Sequence, residues 1–457
     1  MTMSNQKFDL VVIGTGTAAS TAAFACRRAG WRVAMIDQLP FGGTCALRGC
    51  DPKKVLVGGA EAVDHARRMQ GRGVGGEPVI RWPELMGFKR TFTDPVPQRR
   101  EQEFAASGID TVRGHARFRD PQSIDVDGRV LEGRFFLIAS GAAPVRLGIP
   151  GEEHLVNSTD FLEFGALPKR MVLVGGGYIA SEFSHIAARA GAQVTILQQG
   201  ERLLTGFDPD LVQWLTEKFA RLGIEIRLGA RVEGIEKADA RGPSGEAFRV
   251  QFATRDERSS VEADVVIHAA GRAPDLASLD LDAAGIERDD QRLKLNDFLQ
   301  STSNSAVYAA GDSAAIGPPL TPIAKYDGGI AATNMLEGNR ERPNYLGVPS
   351  VVFTIPPLAR VGLLEAQARE QRLRFRVRHE RTATWYTARR VGEDCAGFKV
   401  LIEEGTERIL GAHLLGPQAE EVINLFALAI RAGLSAGQLK ALIPAYPTAS
   451  SDLQYML

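Results

Sequence analysis

Cys45 and Cys50 stand five residues apart in GGTCALRGCDPKK, residues 42–54, and are two of the chain's four cysteines. Two thiols so close can hold a metal, staple a loop, or cycle between dithiol and disulfide. A structural zinc site takes four ligands, usually from two nearby pairs. Only Cys26 and Cys395 remain, and the seven histidines are scattered, none beside the pair. A bridge across five residues of regular helix must span a rise of roughly 7.5 Å, whereas bridged Cα atoms lie about 4.4–6.8 Å apart. The helix must therefore be distorted. Gly49 and Pro52 supply the means, because Pro52 cannot donate to the Arg48 carbonyl. Such a bridge is labile, and Lys53 and Lys54 nearby favour thiolate over thiol. These features suit a redox dithiol.

The elements that position this pair come from an internal repeat. LVVIGTGTAASTAAFACRRAGWRVAMID, residues 10–37, aligns without a gap on MVLVGGGYIASEFSHIAARAGAQVTILQ, residues 171–198. Gly14, Gly16, Ala19 and Gly30 fall on Gly175, Gly177, Ala180 and Gly191. Each copy runs from a strand through Gly-x-Gly-x-x-Ala into an Ala-rich helix and a second strand, a βαβ unit that binds dinucleotides. The first glycine allows the tight turn, the second lets the backbone approach a pyrophosphate, and the small third residue lets helix and strand pack. Asp37 ends the second strand of the first copy, where a carboxylate accepts from an adenosine ribose. Its counterpart is Gln198, with Arg202 four residues on. A neutral residue there does not repel a 2′-phosphate, which leans the second site toward NADPH over NADH.

At 457 residues the chain holds two to four domains. A net charge of −1 supplies no field for nucleic acid or anionic membrane. The N-terminal MTMSNQKFDL lacks the apolar core of an export signal, and no apolar run is long enough for a bilayer. The expectation is a cytoplasmic protein, where a close cysteine pair is catalytic or metal-binding more often than structural.

GGTCALRGCDPKK resembles the active-site signature of the class I FAD-dependent pyridine nucleotide–disulfide oxidoreductases, the family of glutathione reductase, dihydrolipoamide dehydrogenase and mercuric reductase. The resemblance covers nearly the whole chain. LIASGAAP (137–144), GGGYIASE (175–182), AAGRAPD (269–275), VYAAGDSA (307–314) and VVFTIPPLARVGLLEAQA (351–368) each match a family segment in order. It implies an α/β fold of two Rossmann-like dinucleotide-binding domains, for FAD and NAD(P), plus a C-terminal α+β dimerisation domain. The limits expected are 1–149 and 271–343 for FAD, 150–270 for NAD(P) and 344–457 for dimerisation, in a homodimer.

The same resemblance implies a relay from NAD(P)H through FAD to a Cys45–Cys50 disulfide, and on to a small-molecule acceptor. Cys50 would be the flavin-side sulfur, forming a charge-transfer thiolate, and Cys45 the interchange thiol. Glu182 would pair with a lysine beside the flavin, either Lys53 or Lys54. Tyr178 would lid the nicotinamide pocket beside Ile179. Gly43, Thr44, Ser140, Gly141, Gly271, Arg272, Gly311, Asp312 and Thr321 fall in the cofactor-binding segments, with Asp312 on the ribityl chain and Thr321 near the pyrimidine side of the ring.

The pattern breaks at the C-terminus. Glutathione reductases end in His-Pro-Thr-x-x-Glu, whose histidine serves the interchange thiol. Here Tyr446 replaces the histidine, Ser451 replaces the glutamate, and Asp452 falls one residue late. A phenol donates a proton but is a poor base near neutrality. Inside the signature, Arg48 and Asp51 also replace apolar residues. The acceptor expected is a disulfide, with a metal ion or quinone as the alternative and a redox-sensing flavoprotein of weak turnover as a third reading.

Overall fold

The computed structural model describes residues 6–238 and 247–457, so the first residues of the segment read for an export signal lie outside it. The chain divides into two compact units. One comprises Met1–Lys53, Phe88–Val145 and Arg272–Tyr345; the other comprises Lys54–Gly87, Arg146–Gly271 and Leu346–Leu457.

In the first unit, strand Gln6–Ile13 lies between Val33–Asp37 and Arg129–Ile138, parallel to both. Asp110–Arg113 and Val307–Ala309 extend the parallel pairing, and Ser123–Val126 and Ala116–Asp120 add an antiparallel flank, making seven strands. Leu10, Val11 and Val12 are all fully buried. A parallel sheet covered on both faces explains why this run is continuously apolar instead of alternating. Helices Thr17–Arg28 and Thr321–Glu337 cross closely, since a Cβ on Gly328 would lie 2.4 Å from the Ala18 carbonyl oxygen.

The second unit repeats the scheme. Strands Glu225–Leu228, Gln193–Gln198, Arg170–Val174, Val265–His268 and Leu155–Val156 form a parallel sheet in that order. A three-stranded antiparallel sheet accompanies it. A further antiparallel sheet of five strands, Ser350–Val352, Leu358–Gly362, Ile409–Leu415, Gly397–Glu403 and Phe375–Arg381, packs on helix Ala419–Ala432 through Phe398, Val400 and Phe426. The architecture is the one the resemblance implies. Among the described residues, no helix is long and apolar enough to cross a membrane.

The two repeat copies share one contact. Gly14 has φ +107°, and a Cβ there would lie 2.3 Å from the Ala139 carbonyl oxygen; Gly175 has φ +115°, and a Cβ would lie 2.2 Å from that of Ala269. The turn out of each first strand thus presses against the end of the neighbouring parallel strand, and only glycine has room.

Within the second unit, the end of the helix that begins at Cys50 is fixed by buried charge. Asp64 accepts from Arg189 Nε at 2.9 Å and Nη2 at 2.7 Å, and from Arg68 Nε at 2.6 Å. Arg189 is 3% exposed and also donates to the Ile355 carbonyl. Removing the carboxylate leaves a buried guanidinium uncompensated, which costs about 3–5 kcal/mol. Asp64→Ala is therefore expected to lower the urea midpoint by that equivalent at unchanged slope, whereas exposed Glu201→Ala, on the surface pair with Arg255, shifts it by less than about 1 kcal/mol.

Candidate active site

The distortion expected between the cysteines is a complete break. Helix Gly43–Arg48 ends at Gly49 (φ −148°, ψ −113°), and a new helix, Cys50–Arg68, starts at once. A Cβ at Gly49 would lie 3.0 Å from the Thr44 carbonyl oxygen and 3.2 Å from Thr44 Cγ2, so a small residue lets the chain turn there. Pro52 sits in the first turn of the new helix, where a missing N–H leaves no hydrogen bond unmade. At the other end of the short helix, Gly43 (φ +73°) touches Gly16, with a Cβ predicted 2.4 Å from Gly16 Cα. The dithiol helix is thereby seated directly on the glycine turn of the first repeat copy.

The break brings the two sulfurs into hydrogen-bonding contact and makes them unequal. Cys50 is drawn down to about 6, first by the hydrogen bond from Cys45, with Thr321 and the Lys53 ammonium adding to it against the cost of burial. Cys45 is pushed up, first as the donor to Cys50 and then by burial. Thr321 Oγ1 lies 3.4 Å from Cys50 Sγ. Cys45 Sγ also faces Asp51 Oδ1 at 3.8 Å. The geometry favours a thiolate on Cys50 and a thiol on Cys45. Of the two lysines, Lys53 is the one whose charge acts on Cys50, while Lys54 pairs with Glu61 at 3.0 Å and lies over the Phe353 ring.

Other residues of the first unit line up along the strand ends. Asp37 Oδ2 accepts from Thr15 N at 3.0 Å and Thr15 Oγ1 at 2.6 Å, and Oδ1 from Leu39 N at 2.9 Å, which fixes the carboxylate at the end of its strand. Ala19 is fully buried against the sheet. Ser140 Oγ donates to the Asp275 carbonyl at 2.7 Å, ahead of Gly141 (φ +78°). Burial raises Asp312, and Arg272 opposes the rise. Sequence reasoning missed Asp327, which holds Gly311 N at 3.3 Å and the Tyr345 hydroxyl at 2.9 Å. It is fully buried and raised to about 6 by that burial. It lies on the buried side of the helix opening at Thr321, a side the sequence pattern of that helix does not mark.

In the second unit, Gly177 N-caps helix Tyr178–Arg189 with no side-chain cap, and a Cβ there would meet nothing within 4 Å. Ile179 packs on the unit's core. Tyr178 is 38% exposed, with its ring 5.6 Å from that of Phe207 and a hydrogen bond to Ser350. Buried Glu182 accepts from Phe353 N at 2.9 Å. Gln198 ends its strand and donates to the Arg202 carbonyl. Arg202 itself is engaged locally: it donates to the carbonyls of Thr205 at 2.7 Å and Phe207 at 2.9 Å, while Arg360 takes that of Gly206. Sequence reasoning passed over Arg360, although it lies in one of the matched segments. Gly271 (φ +113°) ends the unit's Arg146–Gly271 segment. Tyr446 is 81% exposed, Ser451 Oγ donates to the Thr448 carbonyl, and Asp452 accepts from Thr387.

Residues 8–328 match the pyridine nucleotide-disulphide oxidoreductase family, and residues 348–457 match that family's dimerisation domain. The chain belongs to this family. A mercuric reductase of Lysinibacillus sphaericus is 32% identical across 99% of this chain and 82% of its own length. A glutathione reductase of Burkholderia cepacia is 30% identical across 98% of both. Among solved structures, the Cu(II) complex of the HOCl-induced flavoprotein disulfide reductase RclA from Escherichia coli shares 30% identity and a TM-score of 0.87, over 99% of each chain. Like these relatives, this family member is an FAD-dependent flavoprotein oxidoreductase that uses a pyridine nucleotide. The residues present fit both groups: two uncapped helix N-termini, each behind a glycine turn, offer N–H groups to a diphosphate, and Asp37 retains lone pairs for a ribose.

The Thr321 contact can be tested through acidity. A thiolate that loses a donor is less stable, so Thr321→Val moves Cys50 upward from about 6, by roughly one pH unit for a hydrogen bond of about 1.4 kcal/mol. The pH midpoint of iodoacetamide alkylation at Cys50, followed by peptide mass spectrometry on the reduced protein, reads this shift.

Proposed function

We propose that this protein is an NAD(P)H-dependent disulfide reductase whose working group is the Cys45–Cys50 pair. The observation that carries the reading is the asymmetric dithiol: a broken helix sets a thiolate-prone Cys50 beside Thr321 and Lys53, with Cys45 protonated next to it. Bound FAD supplies the two-electron link between nicotinamide and disulfide. Gly14, Gly16, Ala19, Asp37, Gly43, Thr44, Ser140, Gly141, Arg272, Gly311, Asp312 and Thr321 hold it. Lys53 would supply positive charge to a reduced, negatively charged ring. Gly175, Gly177, Ile179, Gly271 and Gln198 hold the nicotinamide nucleotide, Tyr178 covers its pocket, and Glu182 is the buried carboxylate on the same helix. Cys45 attacks the acceptor disulfide, and Cys50 closes the intramolecular bridge. The domain limits proposed are 1–149 with 271–343, 150–270 and 344–457, in a cytoplasmic homodimer whose dimerisation domain carries Tyr446 to the surface.

For the nucleotide we propose NADPH. Gln198 supports it by removing the repulsion that a carboxylate would exert. Arg202 can reach a 2′-phosphate only by releasing the carbonyls of Thr205 and Phe207. That competition keeps the preference modest. The ratio of kcat/KM for NADPH over NADH is expected at roughly 10–100, the worth of one charged hydrogen bond of about 1.5–3 kcal/mol. It should fall toward unity in Arg202→Ala.

A metal ion as acceptor is the second reading. It is favoured by the names of the mercuric reductase relatives and by the Cu(II) complex of the E. coli neighbour, since a thiolate pair suits a soft ion. One experiment separates the two. NADPH oxidation is followed with alkyl and aromatic disulfides, Hg(II), Cu(II) and quinones as acceptors. Disulfides should support the highest kcat/KM, and Cys50→Ser should abolish both that turnover and the long-wavelength absorbance that its thiolate gives beside bound flavin. Faster turnover with a metal ion or a quinone would overturn the disulfide reading.

A further inference from the structure

A reductase of this kind must move a proton away from its interchange thiol and hand one to the departing thiol. Tyr446, in the position where glutathione reductases have a histidine, is a poor base near neutrality. Asp452 is held by Thr387, and Ser451 by the Thr448 carbonyl. Among the described residues, the groups that act most on Cys45 are Cys50, Thr321 and Asp51, and those that act most on Cys50 are Cys45, Thr321, Lys53 and Asp51, none of them a histidine. Among the described residues, Asp51 is the carboxylate in contact with the dithiol. It occupies the first turn of the helix that opens at Cys50, its side chain is exposed, and its Oδ1 lies 3.8 Å from Cys45 Sγ. It also stands where the matching signature is apolar.

We propose that Asp51 is the acid–base catalyst of the interchange thiol, an in-chain carboxylate doing the work that relatives assign to a C-terminal histidine. The inference rests on the disulfide reading. The Cys45 proton has two acceptors, the Cys50 sulfur and the Asp51 carboxylate. Were Cys50 to take it, the thiolate that must later resolve the mixed disulfide would be quenched. Asp51 takes it without that loss.

The step balances as follows. The Cys45 S–H bond breaks, its proton goes to Asp51, and its electron pair attacks one sulfur of R–S–S–R′. A Cys45–S–S–R bond forms, the substrate S–S bond breaks, and the leaving R′–S⁻ takes the proton from Asp51. The Cys50 thiolate then attacks Cys45 Sγ, forming the Cys45–Cys50 disulfide and expelling R–S⁻, which takes a proton from water. The dithiol is oxidised by two electrons, the substrate is reduced by two, and NAD(P)H restores the dithiol.

Two arms test this on the holoenzyme. In the first, wild type, Asp51→Asn and Asp51→Glu are compared with two acceptors. Bis(2-hydroxyethyl) disulfide releases a basic alkyl thiol, and 5,5′-dithiobis(2-nitrobenzoate) releases an acidic aromatic one. Asp51→Asn should lose about 10²-fold or more in kcat with the alkyl disulfide, the span of general acid–base catalysis. It should lose under about fivefold with the aromatic one, whose thiolate leaves without a proton. Asp51→Glu should recover part of the alkyl activity. Equal losses with both acceptors, no loss with the alkyl disulfide, or a fall in the rate of flavin reduction by NADPH would overturn the assignment.

The second arm needs no acceptor. The pH midpoint for alkylation of Cys45 in the reduced enzyme should move down in Asp51→Asn, because a negative neighbour is removed. An unmoved midpoint would overturn the proposal. If wild type reduces neither disulfide, the disulfide reading fails by itself, and this arm still decides whether Asp51 governs the Cys45 proton.

Discussion

The contact between Gly43 and Gly16 is the constraint on which the dithiol chemistry depends. Two backbones approach so closely that a single methyl group would overlap at 2.4 Å. One belongs to the glycine turn that follows the first strand, the other to the helix that carries Cys45. Seating that short helix on the turn leaves it only six residues, Gly43–Arg48, before Gly49 breaks it. Cys50 then opens a new helix instead of extending the old one. Without the break, five residues of rise would hold the sulfurs roughly 7.5 Å apart along one axis. With it, they come within hydrogen-bonding reach of each other.

That hydrogen bond sets the electrostatics. A hydrogen bond between two thiols stabilises a thiolate on the acceptor and a thiol on the donor, and the surroundings choose which is which. Thr321 and Lys53 act on Cys50; Asp51 stands beside Cys45. Both choices come from residues near the start of a helix, Thr321 on one and Asp51 with Lys53 on the other. The surroundings thus draw the two sulfurs apart, Cys50 toward thiolate and Cys45 toward thiol.

The loop beside the second unit's glycine turn shows a different use of charge. Three consecutive carbonyls, those of Thr205, Gly206 and Phe207, each accept from an arginine, Arg202 or Arg360. Leu204 N bonds to the Gly176 carbonyl at 2.8 Å and Leu204 takes φ +46°. The loop that carries Phe207 against Tyr178 is therefore tied both to the glycine turn and to the arginines. An arginine near the end of a nucleotide-binding strand reads in sequence as a phosphate ligand; the loop's own carbonyls compete for it.

The repeat was legible in sequence because its reason is steric and local. Gly14 and Gly175 must lack a Cβ wherever a strand turns against its parallel neighbour, so the spacing alone betrays the βαβ unit. The need for a distorted helix between Cys45 and Cys50 was legible for the same kind of reason, since rise per residue and bridge length are fixed quantities. Other features could not be read. Lys53 and Lys54 are adjacent, and consecutive helical residues point about 100° apart, so only the direction of the helix decides which one faces Cys50. Asp51 and Arg202 were visible as residue types, but their partners, Cys45 Sγ in one case and the loop carbonyls in the other, are set by how the chain folds back. Sequence determined the covalent spacing and the backbone freedom, which are properties of neighbours along the chain. Tertiary structure decided which charge meets which atom, because those distances depend on segments that approach only in the folded state.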